Sequence, residues 1–195
     1  MHARILASSF VVSTLSVLAS ACFAPPMEAS GDGIAPPREL FTPDAPPAPN
    51  CPPDPSARST LRIQVRTSPV GGRFAPRNVG VIWIERADGT FVKTIERWGV
   101  ARAKYLVAFI ASSNGNVVDA ITSATLLSHQ THTRTWDLTD TTDCEVEPGD
   151  YRVRVEHTDR DGPGAATSLP LTIADAMTST FPDEPTFHDL QLDLE

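Results

Sequence analysis

The sequence has few positive charges, few aromatic residues and only three cysteines. Its 16 lysines and arginines are outnumbered by 24 acidic residues, which gives a formal net charge of -8. Such a charge repels phosphate backbones, so nucleic acid is not expected as a partner. A chain of 195 residues, 41% of them hydrophobic, is long enough for one domain with a core, and too short for two once its N-terminal third is set aside.

The sequence also lacks the short motifs that commonly carry catalysis. It contains no G-x-S-x-G elbow, no H-E-x-x-H pair, no C-x-x-C and no glycine loop that would cradle a phosphate before a helix. Catalytic groups also converge from distant positions, so the absence of motifs weighs less than their presence would. We predict that the protein is not an enzyme.

Residues 1–21 are typical of a signal peptide. Arg4 and the amino terminus supply positive charge, and an apolar run follows that contains Ile5, Leu6, Phe10, Val11, Val12, Leu15, Val17 and Leu18. This run is shorter than the stretch of about 20 apolar residues that a transmembrane helix needs. We therefore expect export from the cytoplasm, followed by cleavage.

Small residues directly precede Cys22. The stretch Ala19 to Ala21 satisfies ordinary signal peptidase, and small residues before a cysteine also resemble the lipobox of bacterial lipoproteins. The lipobox usually has leucine three places before the cysteine, whereas here Leu18 lies one place earlier. We predict that Cys22 is lipidated; the alternative is a secreted protein with a free N-terminal thiol. Phe23, in place of aspartate, is similar to lipoproteins that are sent on to the outer membrane.

The other two cysteines form a candidate disulfide. If Cys22 carries lipid, Cys51 and Cys144 remain as an even pair in an oxidising compartment, where a disulfide persists. The bridge would close a loop of roughly 90 residues, which the chain-entropy account values at about 4 to 5 kcal/mol. The alternative is two unpaired thiols.

Residues 22–57 are rich in proline. Eleven of the 18 prolines lie between Pro25 and Pro55. Proline removes backbone donors and fixes φ, so neither a helix nor a sheet is expected there. We predict a semi-rigid polyproline II tether between the membrane and a folded domain at residues 58–195.

The remainder of the chain shows the period of two that is typical of half-buried β-strands. Leu61, Ile63 and Val65 alternate with polar residues. The run Val79 to Ile84 is almost continuously apolar, which predicts a central strand covered on both faces. One short helix is predicted within residues 103–111. About seven short strands with frequent turns predict an all-β protein, an antiparallel β-sandwich with one short helix.

Several stretches carry a resemblance to known families. The hairpin Val81 to Ile95, followed by Thr135 to Asp137 and by Pro148 to Tyr151, resembles the immunoglobulin-like domain of flagellar hook-capping proteins. With Arg97 to Gly99 and Asp119 to Thr125, the chain is similar to a family of uncharacterised bacterial periplasmic domains of unknown function. The resemblance covers roughly residues 60–175. It implies an immunoglobulin-like sandwich and no established activity.

Two groups of residues contain side chains that commonly bind metal ions, an H-x-x-H pair and an acidic stretch. His129 and His132 form an H-x-x-H pair, and neutral imidazoles commonly bind zinc or copper. Residues three apart on a strand face opposite sides, so solvated or capping histidines are expected instead. The acidic stretch Asp137 to Asp150 has the oxygen ligands that calcium takes, but not the spacing of a calcium loop. We predict no metal site.

The stretch Asp119 to Thr125 (DAITSAT) carries an alternative function. It resembles the acceptor motif of bacterial proteins to which FMN is attached through a threonine phosphoester. The resemblance implies an extracytoplasmic redox accessory that carries FMN covalently on Thr125. The competing interpretation is a connecting loop in which Ile121 and Leu126 are buried and the polar side chains bond locally.

The leading prediction is a membrane-anchored extracytoplasmic lipoprotein without a cofactor. It would act as a non-catalytic interaction or structural module of the bacterial envelope. Its expected partners are the membrane, through the lipid anchor, and an unidentified envelope protein. That protein would contact loops or an edge strand near Leu169 to Ile173, where Pro170 indicates a strand at a sheet edge.

Overall fold

The computed structural model describes Cys51 and residues 59–195. The predicted signal peptide, Cys22 and the predicted tether up to Cys51 lie outside the described residues. The elements in chain order are β1 (Leu61–Thr67), β2 (Val79–Arg86), β3 (Phe91–Trp98), α1 (Val107–Ser113), β4 (Ile121–Ser123), β5 (Thr131–Trp136), β6 (Gly149–Thr158), β7 (Ala165–Ile173), β8 (Met177–Thr180) and β9 (Phe187–Leu194). A single 3-10 turn, Ala103–Tyr105, precedes α1.

The strands form two sheets that pack face to face. One sheet has four strands in the order β5-β1-β9-β8, and the other has five in the order β4-β3-β2-β6-β7. Neighbouring strands are antiparallel except for β3 and β4, which are parallel. This is the predicted immunoglobulin-like antiparallel β-sandwich. The described part has nine strands where about seven were expected, because the short strands β4 and β8 carry little alternation.

The main core lies between the two sheets. The alternating residues of β1 face inward, as do the apolar positions of β6, β7 and β9. Two aromatic rings, Trp136 and Tyr151, meet edge to face with their centroids 6.2 Å apart at one end of this core. Burial of such side chains stabilises a domain by about 1.5 to 3 kcal/mol each.

A second, smaller core lies on the outer face of the five-stranded sheet. Val79, Val81 and Trp83 of β2 are fully buried there beneath the segment that contains α1. The rings of Trp83 and Phe109 meet edge to face, with centroids 5.5 Å apart. The prediction of a central strand covered on both faces is therefore confirmed for β2.

The short helix α1 is held at its first turn by a buried carboxylate. Glu156 of β6 accepts hydrogen bonds from the backbone N–H of Ala108 at 3.3 Å and of Phe109 at 3.0 Å. Asn114 ends the helix in the left-handed conformation, with φ of 51°. The helix was expected within residues 103–111 and was expected to stop at Asn114 and Gly115. The stop at Asn114 is confirmed, whereas Ala103–Tyr105 form the 3-10 turn and α1 begins only at Val107.

The two ends of the sandwich differ in what they carry. Cys144 lies in the loop between β5 and β6 and forms a disulfide with Cys51, which precedes β1 in the chain. The two Cα atoms are 5.6 Å apart. We call this end of the sandwich the disulfide end. At the opposite end, β1 runs into the loop before β2, and β3 runs into the segment that leads to α1. The candidate groups described below lie largely at this opposite end.

Candidate functional site

The interior of the opposite end holds a group of buried polar side chains. Glu96 lies on β3, His132 on β5 and His157 on β6, while His129 precedes β5 and Asp159 follows β6. Because β5 belongs to one sheet and β3 and β6 belong to the other, the group lies between the sheets. No local pattern in the sequence indicates it, since its members are brought together only by the pairing of distant strands.

His132 forms one half of this group. Its Nδ1 lies 2.9 Å from Glu96 Oε2, and the same carboxylate also pairs with the guanidinium of Arg134. The ring of Trp98 stacks on His132 with centroids 4.1 Å apart, and its Nε1 donates to Asn78 Oδ1. Burial alone would raise the pKa of Glu96, but the hydrogen bonds and charges of its two partners hold that pKa below its usual range.

His129 and His157 form the other half. Their rings meet edge to face at 5.3 Å, and His157 also packs against Phe187 at 5.1 Å. His129 Nδ1 lies 3.1 Å from Thr67 Oγ1, and its Nε2 lies 3.9 Å from a carboxylate oxygen of Asp159. Burial lowers the pKa of His157 to about 4 and lowers that of His129 as well, so both rings are neutral at pH 7.

This arrangement corrects one expectation. His129 and His132 were expected to be solvated or capping histidines that face opposite sides, whereas both side chains are buried. The strand argument did not apply because β5 begins at Thr131, so His129 lies on the turn before it. Within the described residues, no three histidine, cysteine or acidic side chains are arranged to hold a metal ion.

The acidic loop at the disulfide end uses its carboxylates internally. Lys93, almost fully buried, donates to Thr139 Oγ1 at 2.7 Å and lies 3.6 Å from a carboxylate oxygen of Asp143. Asp140 accepts from the backbone N–H and the hydroxyl of Thr142 at 2.7 Å each. Burial has the largest single effect on Asp140 and raises its pKa, but these hydrogen bonds, the bond from the Cys144 N–H and the charge of Lys93 together lower the pKa overall. The loop is thus a self-bonded turn, pinned by the disulfide.

The stretch Asp119 to Thr125 lies on the surface. It contains β4, which pairs in parallel with the end of β3 and forms an edge of the five-stranded sheet. Asp119, Thr122 and Ser123 are exposed, and Ile121 retains 53% of its accessible surface. A connecting loop with Ile121 buried was the competing expectation for this stretch, and for Ile121 it is wrong. Thr125 is half-buried beside Gly99.

The fold and these groups define an all-β, disulfide-bonded domain of the kind found outside the cytoplasm. The chain belongs to a family described as predicted periplasmic protein (DUF2271), whose model matches residues 76–185. No curated protein and no solved structure matches the chain significantly. Among the described residues, no helix has the length and apolar character required to cross a membrane.

Proposed function

We propose that this protein is a lipid-anchored, non-catalytic interaction module of the bacterial envelope. The periplasmic family and the disulfide support an extracytoplasmic location. The proposed anchor is Cys22, directed to the outer membrane or another periplasm-facing membrane. The resemblance to the immunoglobulin-like domain of flagellar hook-capping proteins supports a structural or binding role rather than a catalytic one.

The proposal depends chiefly on where the exposed apolar side chains lie. Across the described residues, every exposed large hydrophobic side chain falls within residues 100–127, on the connection between β3 and β5. Four of them, Val107, Ile110, Val118 and Ile121, lie on or after α1 and are between 38% and 53% exposed. We call these four residues the helix-side face. Apolar side chains concentrated in this way mark protein contact sites more often than scattered ones do.

The helix-side face favours a protein partner. Val107 and Ile110 are three residues apart, so they share one face of α1 while Leu106 and Phe109 hold the helix on the sheet. A rigid helix face with small aliphatic anchors is a common way of engaging a groove in another protein. We infer that the partner is an envelope protein with a complementary apolar surface.

The anchor is tested by fractionation of the native host. Wild-type protein is expected in the membrane fraction with a mass that begins at Cys22 plus acyl chains. A Cys22→Ala variant is expected in the soluble fraction. A wild-type protein that is soluble, with an unmodified amino terminus, would refute the anchor and leave the folded domain unaffected.

The contact is tested by site-specific photo-crosslinking in cells. A photoreactive residue at Ile110 or Val118 is expected to give one discrete adduct, which the additional change Val107→Asp abolishes. The matched control is Arg62, an exposed position on β1, which is an inner strand of the four-stranded sheet. Equal adducts from Arg62 and Ile110, or none from either face position, would contradict the proposal.

The second candidate is an FMN-carrying redox accessory, and one observation favours it. The middle of the acceptor-like stretch forms the exposed edge strand β4, and the half-buried Thr125 follows two residues after it, so the stretch is open to a modifying enzyme from the surface. Thr125 would hold the phosphoester, and the bound flavin would supply the redox chemistry. The chain itself would hold the group outside the cytoplasm and keep it near the surface.

Intact mass separates the two candidates. Protein from the native host is expected to show no adduct besides lipid under the leading proposal. An added mass that matches FMN, mapped to Thr125 and lost in Thr125→Ala but retained in Thr122→Ala, would establish the second. The mass on reduction serves as an internal check, because a disulfide adds two hydrogens when reduced.

A further inference from the structure

The opposite end of the sandwich carries two exposed aliphatic side chains, here called the tips, together with several arginines. Val100 and Leu127 are 68% and 76% exposed, which makes them the two most exposed large apolar side chains among the described residues. Neither belongs to the helix-side face. Side chains of this size and exposure are costly to leave in water unless something covers them.

Backbone contacts bring these two tips together. Leu126 pairs with Asn78 through two hydrogen bonds, at 3.0 and 3.1 Å, which places Leu127 beside Arg77. The backbone N–H of Gly99 donates to Ser123 at 2.9 Å, and Thr125 also lies against Gly99. Val100 shares a turn with Arg102, because the backbone N–H of Ala103 donates to the carbonyl of Val100 at 3.0 Å. Arg102 lies over Phe74 in the loop before β2, the loop that also carries Arg77, so a chain of contacts through this loop links the two tips.

Arginines border the tips on one side. The guanidinium groups of Arg73 and Arg102 both lie over the ring of Phe74, 4.6 and 4.2 Å from its centroid. The backbone N–H of Arg77 donates to the carbonyl of Phe74 at 2.8 Å, so Arg77 follows Phe74 in one turn. Nε and Nη2 of Arg102 are buried, so Arg73 and Arg77 are the exposed arginines of this group. We call Arg73, Phe74, Arg77, Val100, Arg102 and Leu127 together the basic end surface.

The acidic groups near this surface leave a positive excess. Arg73 pairs with Asp161, and Asp159 is fully buried, where it accepts from the backbone N–H of Val70 and Gly72. Within the described residues, Arg77 and Arg102 have no carboxylate at ion-pair distance. In a chain whose net charge is -8, this is a local reversal of sign.

We propose that the basic end surface docks the domain on an anionic lipid surface. Aliphatic tips that insert among acyl chains, bordered by arginines that meet phosphate headgroups, are the combination by which peripheral proteins bind anionic membranes. The rest of the molecule is acidic and would be repelled by the same surface. Docking is therefore expected only through this end, which also sets the orientation of the domain.

Vesicle binding tests the proposal independently of the anchor and of the helix-side face. The probe protein is the mature chain from residue 22 with Cys22→Ser, so that no lipid can be attached. It is expected to co-sediment with vesicles of phosphatidylethanolamine and phosphatidylglycerol, and not with vesicles of phosphatidylcholine alone. Binding should weaken with salt, since the Debye length falls from about 10 Å at 0.1 M to about 3 Å at 1 M.

Two double variants and two controls identify the surface. Arg73→Gln with Arg77→Gln, both at exposed positions, should weaken binding by roughly 30-fold, because each arginine near an anionic surface contributes about fivefold. Val100→Ser with Leu127→Ser should weaken it by about tenfold. The control Arg152→Gln on β6 and the control Val118→Ser on the helix-side face should bind as wild type.

Three outcomes would overturn the proposal. They are absence of binding to the anionic vesicles, unchanged binding by the double arginine variant, and equal binding to neutral vesicles. If the probe instead dimerises, and Leu127→Ser abolishes the dimer, the surface belongs to a second copy of the chain. Thermal unfolding of each variant shows whether it is folded. The single variant Arg77→Gln tests vesicle binding at an exposed position without altering the groups packed on the Phe74 ring.

Discussion

Acidification should destabilise the domain through His157. This side chain is fully buried between the two sheets, and burial lowers its pKa to about 4 from an ordinary value of 6.5. The unfolded chain takes up a proton near pH 6.5, whereas the folded chain resists protonation until about pH 4. Between these values the unfolded state binds more protons, so the free energy of unfolding rises with pH and falls as the solution is acidified.

The size of the effect follows from the two pKa values. The full loss, reached well below pH 4, is about 3 kcal/mol, because the pKa falls from 6.5 to about 4 and each pKa unit corresponds to roughly 1.4 kcal/mol. Between pH 8 and pH 4.5 the loss from this one histidine is about 2 to 3 kcal/mol. That is a large share of the roughly 5 to 15 kcal/mol by which domains are stable.

The assay compares urea unfolding at pH 8 and at pH 4.5 for wild type and for His157→Gln. The quantity compared is the change in unfolding free energy between the two pH values within each protein. This comparison cancels the part of the substitution's effect on stability that does not depend on pH. The drop should be smaller by about 2 to 3 kcal/mol in the variant. The control His188→Gln alters a histidine that lies only partly buried on β9 and should retain most of the wild-type drop. A variant that loses as much stability as wild type over this range would refute the argument.

Three further predictions concern stability at neutral pH. Replacing both Cys51 and Cys144 by alanine should lower the free energy of unfolding by up to about 4 to 5 kcal/mol in urea titrations. Gly80→Ala should cost about 1 to 3 kcal/mol, because its Cβ would lie 2.3 Å from the ring of Trp98; thermal unfolding measures this. Glu156→Ala should cost about 1 to 3 kcal/mol and speed hydrogen exchange in the first turn of α1, because it leaves buried N–H groups unpaired.

The strands were predictable because their patterns are local. Alternation in β1 and the apolar run of β2 each report which faces a strand buries, and the structure agrees at both places. The cover on the outer face of β2 was also indicated, since an apolar run needs burial on both sides. Leu106 and Phe109 supply that cover.

The polar interior was not predictable from the sequence. His157 lies in β6 and Asp159 follows the end of that strand; the alternation of buried and half-buried residues stops there, and every residue from Val155 to Asp159 is buried. Nothing in that stretch signals burial, because its polar side chains are accommodated only by partners on other strands, such as Phe187. The exposure of Ile121 was missed for a related reason: an apolar residue in a short edge strand looks like core until the topology is known.

The disulfide also has a mechanical consequence. Cys51 is ten residues upstream of β1, the strand that pairs with both β5 and β9. A pulling force applied to the chain before Cys51 is carried across the covalent bridge to the loop before β6. The bridge gives that load a covalent path into the fold that does not run through β1. Force that follows this path enters the domain between β5 and β6 and does not pull directly on the first strand.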